Sequence, residues 1–148
     1  MDIGSGKKYP ANALSNFAPH KFMIDGVTCH SMEGFLQSLK FKNTLMQREV
    51  CKLVGRAAKF KGKPKKWWRT QTLYWQGQEI DRHSPEYQQL IKRAYDAMWQ
   101  HSSSFRRALI ASRGSTLTHS IGKRDAKRTI LTNNEFMGHL NRLRNEKN

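Results

Sequence analysis

One helical phrase constrains this chain more than any other: His30-Ser31-Met32-Glu33-Gly34-Phe35-Leu36-Gln37-Ser38-Leu39-Lys40-Phe41. Met32, Phe35, Leu36 and Leu39 recur at i, i+3, i+4 and i+7, which draws one apolar stripe along a helix. The spacing predicts a helix over residues 31–42, with Ser31 placed to cap its start. Glu33, Gln37 and Lys40 recur at i, i+4 and i+7 and form a second, polar stripe beside the first. On pattern alone that stripe is a solvated helix face. Just upstream, Leu14-Ser15-Asn16-Phe17-Ala18-Pro19 and the two short apolar runs of residues 22–29 across an Asp-Gly turn weigh against that reading.

The remaining periodicities predict a helical protein with a little β-structure. Residues 22–29 alternate apolar and polar across Asp25-Gly26, a pair that suits a type I′ hairpin turn because both central residues need positive φ. Thr44-Leu45-Met46-Gln47 reads as a capping box opening a second helix that ends at Gly55, with Leu45, Met46, Val50 and Leu53 facing inward. Residues 60–69 read as a lysine-rich loop carrying Pro64 and the pair Trp67-Trp68. Ser84-Pro85 starts a longer helix, whose apolar face is Tyr87, Leu90, Ile91, Ala94 and Met98. Phe105, Ala108 and Leu109 mark a short helix after Ser102-Ser103-Ser104, and residues 117–121 alternate like a strand. Thr132-Asn133-Asn134-Glu135 is a second capping box, opening a helix through Phe136, Leu140 and Leu143. The expected fold class is α+β, mostly α, as a single domain over residues 14–148 preceded by a flexible lead-in over residues 1–13.

Charge narrows the partners. The chain carries 27 Lys and Arg against 11 Asp and Glu, a formal net charge of +16. No acid falls between Glu49 and Glu79, where Lys52, Arg56, Lys59, Lys61, Lys63, Lys65, Lys66 and Arg69 all lie. From His101 to Asn134 the only acid is Asp125, among seven Arg and Lys residues. Two separate basic tracts create a surface that attracts polyanions, so a nucleic acid or nucleotide is the expected partner. The chain has no 18-residue apolar run and no signal-like start, so the expected location is the cytoplasm, without membrane contact and as a monomer. Cys29 and Cys51 form no Cys-x-x-Cys pattern and are expected to be reduced core residues.

Candidate chemistry follows from scarcity. The six histidines show no metal-ligand spacing, and no nucleophile elbow or glycine-rich phosphate loop occurs, so neither a metal nor a cofactor is expected. Among the acids, Glu33 and Asp125 each stand in a segment otherwise without negative charge. Asp125 reads equally as a catalytic carboxylate or as an ion-pair partner for its four basic neighbours. The run Lys59-Phe60-Lys61-Gly62-Lys63-Pro64-Lys65-Lys66-Trp67-Trp68-Arg69 interleaves cations and aromatics, as in grooves where phosphates meet lysines and a base stacks on an indole. Lys65 and Trp67 are the expected ligand contacts there, with Trp68 in the core. Arg56 is a further candidate for phosphate.

Several short phrases together resemble the NADAR family. They are Ser15-Asn16-Phe17, the hairpin at Asp25-Gly26, Glu33-Gly34-Phe35-Leu36-Gln37 with Lys40-Phe41, Val54-Gly55-Arg56-Ala57, Tyr74-Trp75-Gln76-Gly77, Ala94-Tyr95-Asp96-Ala97-Met98 and the C-terminal helix. The likeness spans residues 12–146. It departs from the family in two places: Phe35 stands two rather than three residues after Glu33, and no Trp precedes Asp125. The resemblance implies an enzyme that hydrolyses N-glycosidic bonds, with Glu33 as its catalytic carboxylate, Asp125 as the second, and Asn16, Phe17 and Gln37 as substrate contacts. A carboxylate suits that reaction because it stabilises an oxocarbenium-like sugar and aligns water. The implied substrates are ADP-ribose on guanine bases of nucleic acid, DNA before RNA, or phosphorylated ribosylamino intermediates of riboflavin synthesis. The two basic tracts favour the first. A non-enzymatic nucleic-acid-binding module is the alternative from a different class.

Overall fold

The structure is a computed structural model that describes residues 1–146. Ten principal elements follow one another: β1 (Phe22–Ile24), β2 (Val27–Cys29), α1 (Met32–Ser38), α2 (Thr44–Cys51), α3 (Gly55–Gly62), β3 (Thr72–Trp75), β4 (Gln78–Asp81), α4 (Pro85–His101), α5 (Ser103–Ala111) and α6 (Asn133–Glu146). The strands form two separate antiparallel pairs, β1 with β2 and β3 with β4. The fold is therefore α+β and mostly α, as the periodicities predict.

Helix α1 lies at the centre. Its apolar stripe of Met32, Phe35, Leu36 and Leu39 is buried. Phe35 meets Phe22 and Trp75 edge-on, with ring centroids 6.1 and 5.2 Å apart, the geometry that the aromatic quadrupole favours. The face of α4 formed by Tyr87, Leu90, Ile91, Ala94 and Met98 is buried as expected, as are Phe136, Leu140 and Leu143 of α6 and both cysteines. Ser31, Ser84 and Ser102 cap α1, α4 and α5 through their side-chain oxygens. Gly34 lets α1 sit hard against the neighbouring chain, since a Cβ there would lie 2.4 Å from the Leu53 carbonyl oxygen.

Several boundaries differ from the periodic reading. Helix α1 stops at Ser38 rather than running to residue 42, because its last turn tightens: Leu39, Lys40 and Phe41 donate to carbonyls three residues back. The Leu39 carbonyl turns away and accepts the Tyr74 N–H at 2.7 Å. Helix α2 is capped by Asn43, whose Oδ1 accepts the Met46 N–H at 2.9 Å, one residue ahead of the expected Thr44 box. The buried face differs too: Leu45 is 75 % exposed, Met46 is also exposed, and the buried residues are Gln47, Val50 and Cys51. Gly55, at φ +58°, opens α3 rather than closing α2, and α3 takes up the first part of the expected lysine-rich loop.

Gln47 explains which face turns inward. Its Nε2 lies within hydrogen-bonding distance of the Ser38, Phe41 and Tyr74 carbonyls, at 3.0, 3.3 and 2.8 Å, and its Oε1 accepts the Gln76 N–H at 2.8 Å. One buried amide thus joins the end of α1 to the β3–β4 hairpin. Gln47→Leu strands several of these backbone groups, at roughly 1–3 kcal/mol each. A loss of about 3 kcal/mol or more in urea unfolding is expected.

The β3–β4 hairpin carries no strong local signal, because its turn is Gln76-Gly77 rather than an Asn-Gly or Asp-Gly pair. Both residues nonetheless take positive φ, 51° and 84°. The two hairpins lock together: the Trp75 indole N–H and the Arg93 guanidinium donate to the Asp25 carboxylate, at 2.8 and 2.7 Å. Residues 117–121 form no strand, only one parallel bridge between Asp2 and Thr118. That bridge ties down the segment read as a loose lead-in, since Ile3 is buried in the core and donates its N–H to Thr118 O at 2.8 Å.

Candidate functional site

The polar stripe of α1 is not a solvated face. Glu33, Gln37 and Lys40 line a cavity of about 440 Å³, inside the range of roughly 300–1,000 Å³ typical of small-molecule sites. One wall is the segment from α3 to the 3₁₀ turn Trp67–Arg69, contributing Lys59, Lys63, Lys65, Trp67 and Trp68. The opposite wall comes from residues 119–132 and the start of α6, including His119, Lys123, Arg128 and Phe136. Asn16 and Phe17 close one end. Six cations therefore surround one carboxylate: Lys40, Lys59, Lys63, Lys65, Lys123 and Arg128 around Glu33.

Glu33 is held at both ends. Its backbone N–H donates to the Asn16 carbonyl at 2.9 Å, and its Oε1 accepts the Gln37 amide at 3.0 Å. Gln37 is itself pinned against α3, where a Cβ on Gly62 would lie 1.9 Å from its Oε1. Asn16 is fixed in turn by the buried Tyr95 hydroxyl, which donates to its Oδ1 at 2.8 Å. Burial pushes the Glu33 carboxyl above the usual carboxylate range, against the opposing pull of the Gln37 hydrogen bond and the charges of Lys40, Lys59 and His119. Burial also brings the Lys40 ammonium down to about 8; Glu33 resists that shift and Lys123 adds to it. A carboxyl tuned up on α1 and an amine tuned down in the turn that follows it, facing one cavity, is the arrangement from which acid–base catalysts are made. His119 places its Nδ1 2.9 Å from the Ile3 carbonyl, so that nitrogen carries a proton, and its ring stands edge-on to Phe136.

The mobile-looking composition of residues 122–132 belies how firmly that wall is anchored. Arg82 is 1 % exposed; it donates to the Thr129 carbonyl at 3.1 Å and forms a bidentate pair with Glu135 at 3.1 and 2.7 Å. The Tyr87 hydroxyl donates to the Ile130 carbonyl. Thr132 and Glu135 complete the expected capping box, each accepting the other's N–H, at 3.1 and 2.8 Å.

The structure brings Asn16, Phe17, Glu33, Gln37, Lys65 and Trp67 to one cavity and leaves two other expected residues outside it. Arg56 lies exposed on α3 and does not line the cavity. Asp125 is on a surface turn with its side chain 56 % exposed, accepting the Lys127 N–H at 2.9 Å and lying 3.8 Å from Arg128 Nε, so its geometry is that of the ion-pair alternative. The tryptophan order is reversed: Trp67 is 7 % exposed and Trp68 52 %, although both line the cavity. The 3₁₀ turn directs the first indole inward and leaves the second at the mouth, with the Arg69 guanidinium 5.5 Å from its ring. Lys40 was legible as the last member of the α1 stripe, whereas His119 and Lys123 carry no local signal. Among the described residues no group of three or more His, Cys, Asp or Glu could hold a metal ion, and no helix is long and apolar enough to cross a membrane.

Comparison with known proteins supplies a lineage. The family model of bacteriophage protein GP30.3 matches residues 8–145. An uncharacterized 17.1 kDa protein in the Gp30–rIII intergenic region of Enterobacteria phage T4 is 41% identical over 148 residues, covering 97% of this chain and 96% of its own. The NMR structure of the E. coli protein YbiA superimposes with a TM-score of 0.64 at 17% identity, covering 99% of this chain and 83% of that one. At that identity the likeness speaks for the fold alone.

Proposed function

The chain belongs to the bacteriophage protein GP30.3 family, and from that premise and the lining of its cavity we propose that it is an N-glycosidase that removes ADP-ribose from guanine bases in nucleic acid. The observation that carries this reading is a lone carboxylate, Glu33, half-buried in the cavity lining among six cations. A pyrophosphate needs several positive charges, and a C–N glycosidic bond needs a carboxylate beside the anomeric carbon. In the proposed reaction the bond from the anomeric carbon to the guanine amino nitrogen breaks, and the oxygen of a water attacks that carbon. Glu33 stabilises the positive charge developing on the sugar and takes the proton of the water; the Lys40 ammonium returns one to the departing nitrogen. Lys59, Lys63 and Lys65 meet the phosphates, and Trp68, exposed at the mouth, offers its face to a base.

The test is release of ADP-ribose from guanine-modified single-stranded DNA, run beside a ribosylaminouracil phosphate. Faster cleavage of the metabolite would reassign the substrate class, and cleavage of neither would remove the enzymatic reading. A pH profile tests the roles. Activity is expected to rise as Glu33 ionises, above the ordinary carboxylate range, and to fall as Lys40 loses its proton through about 8. Arginine stays protonated throughout, so Lys40→Arg should keep measurable turnover and lose the alkaline limb. Persistence of that limb in the variant would assign it to another group.

A further inference from the structure

Lys65 belongs to two cavities at once. Besides the site, it lines a wider groove of about 1040 Å³ that runs between the turn of the first hairpin and the outward face of α2. Its ammonium sits over the Phe41 ring, 4.9 Å from the centroid, at the boundary between the two. The groove has four cations, Lys42, Arg48, Lys52 and Lys65, against one acid, Glu49, which Lys52 already holds at 3.1 Å. Between those charges Leu45 and Met46 are exposed, on the face where a simple amphipathic helix would carry polar residues. Cations bordering a groove open to solvent suit a nucleic-acid backbone that runs along it, and the exposed apolar side chains between them give a neighbouring base a surface to pack against. A small phosphorylated metabolite would fill the adjoining 440 Å³ cavity and leave this surface without a role.

We infer that the groove is a second binding site, occupied by the unmodified stretch of single strand next to the nucleotide held in the cavity, an inference that rests on the site acting on nucleic acid. The strand leaves the cavity past Lys65, its phosphates meet Lys42 and Arg48, and an adjacent base lies against Leu45 and Met46. A single strand fits better than a duplex, because the nucleotide in the cavity has to be unstacked to enter and extrusion from a duplex costs a few kcal/mol.

The experiment reads binding and hydrolysis separately. A fluorescein-labelled, unmodified single-stranded DNA of a dozen nucleotides is titrated by anisotropy at several salt concentrations against the parent protein and the Lys42→Glu/Arg48→Glu variant. Lys21→Glu/Arg107→Glu, which reverses two exposed charges outside both cavities, controls for net charge. Losing two phosphate contacts should flatten the log–log salt slope by about 1.4, at roughly 0.7 per single-strand contact, with the control variant close to the parent. In hydrolysis of a modified oligonucleotide, the groove variant should raise KM with kcat kept, and on a modified mononucleoside it should match the parent. A parent that does not bind the strand, a groove variant with the parental slope, or a control variant with the same loss would each overturn the inference. Self-association that Leu45→Ser abolishes, with strand binding unchanged, would overturn it in favour of a second copy. Failure of hydrolysis with the slope change intact would remove the glycosidase reading and leave the groove standing.

Discussion

Replacing Glu33 with glutamine is expected to abolish hydrolysis while leaving the fold and ligand binding intact. The amide keeps the shape and can still accept the Gln37 hydrogen bond at the position now 3.0 Å away. In the proposed reaction it removes the negative charge beside the sugar and the base that takes the proton from water. Loss of general acid–base catalysis alone is about 10²–10⁴-fold, and loss of charge stabilisation adds to it. The stability change should run the other way. The folded-state pKa of Glu33 is raised, so the folded protein holds that proton more tightly than the unfolded chain. The resulting penalty grows as pH rises from the ordinary carboxylate value through the raised one, and it is fully present above it. Glutamine carries no such penalty, so at neutral pH the variant should melt at the parental temperature or higher. Parental turnover in this variant would end Glu33's role. Lost activity with a lowered melting temperature would mean that the residue is structural instead.

Arg82→Met is expected to be the most destabilising single change near the site. Arg82 is buried, stacks 4.7 Å from the Tyr87 ring centroid, and is bidentate to Glu135. Removing one partner of a buried pair leaves an uncompensated charge, at about 3–5 kcal/mol. Burial alone would raise the Glu135 carboxyl, yet its bonds from Arg82, Gln88 and Thr132 hold it below the usual range. In the parent that contribution is present above the unfolded carboxylate pKa and is lost as pH falls through the lowered folded value. In Arg82→Met the main support for the ionised form is gone, so the variant should lose this acid-linked part of its stability profile. Arg82→Met/Glu135→Leu, which replaces both charges, should recover much of the loss because no charge is left stranded. Urea unfolding measures all three, and a change below about 1 kcal/mol in the single variant would show the pair to be dispensable. Because Arg82 also holds the Thr129 carbonyl, weaker substrate binding should accompany the destabilisation.

Local signals made much of the fold legible. Asp25-Gly26 fixes the first hairpin, Ser84-Pro85 starts α4, and Thr132 with Glu135 starts α6, each through chemistry contained within four residues. The start and inward face of α2 are not legible locally: Asn43 and Thr44 are both good caps, and neither says which face turns inward. Buried Gln47 settles it, through partners at Ser38, Phe41, Tyr74 and Gln76 that no window around α2 contains. Trp67 and Trp68 are adjacent and chemically alike, so only the 3₁₀ turn decides which indole is buried.

By itself the sequence determined the mostly helical α+β class, the buried stripe of α1, the excess of positive charge and the candidacy of Glu33. Each follows from periodicity, composition or a short motif, which are properties of neighbouring residues. Only the tertiary structure decided that the Glu33–Gln37–Lys40 stripe faces a cavity rather than solvent. The walls come from Asn16, from Lys59 to Trp68 and from His119 to Thr132, segments far apart in the chain. The shifts at Glu33 and Lys40 arise from the same enclosure, since desolvation depends on every group that displaces water and not on the helix that carries the charge. It also set Asp125 and Arg56 outside the cavity lining, on exposed surface.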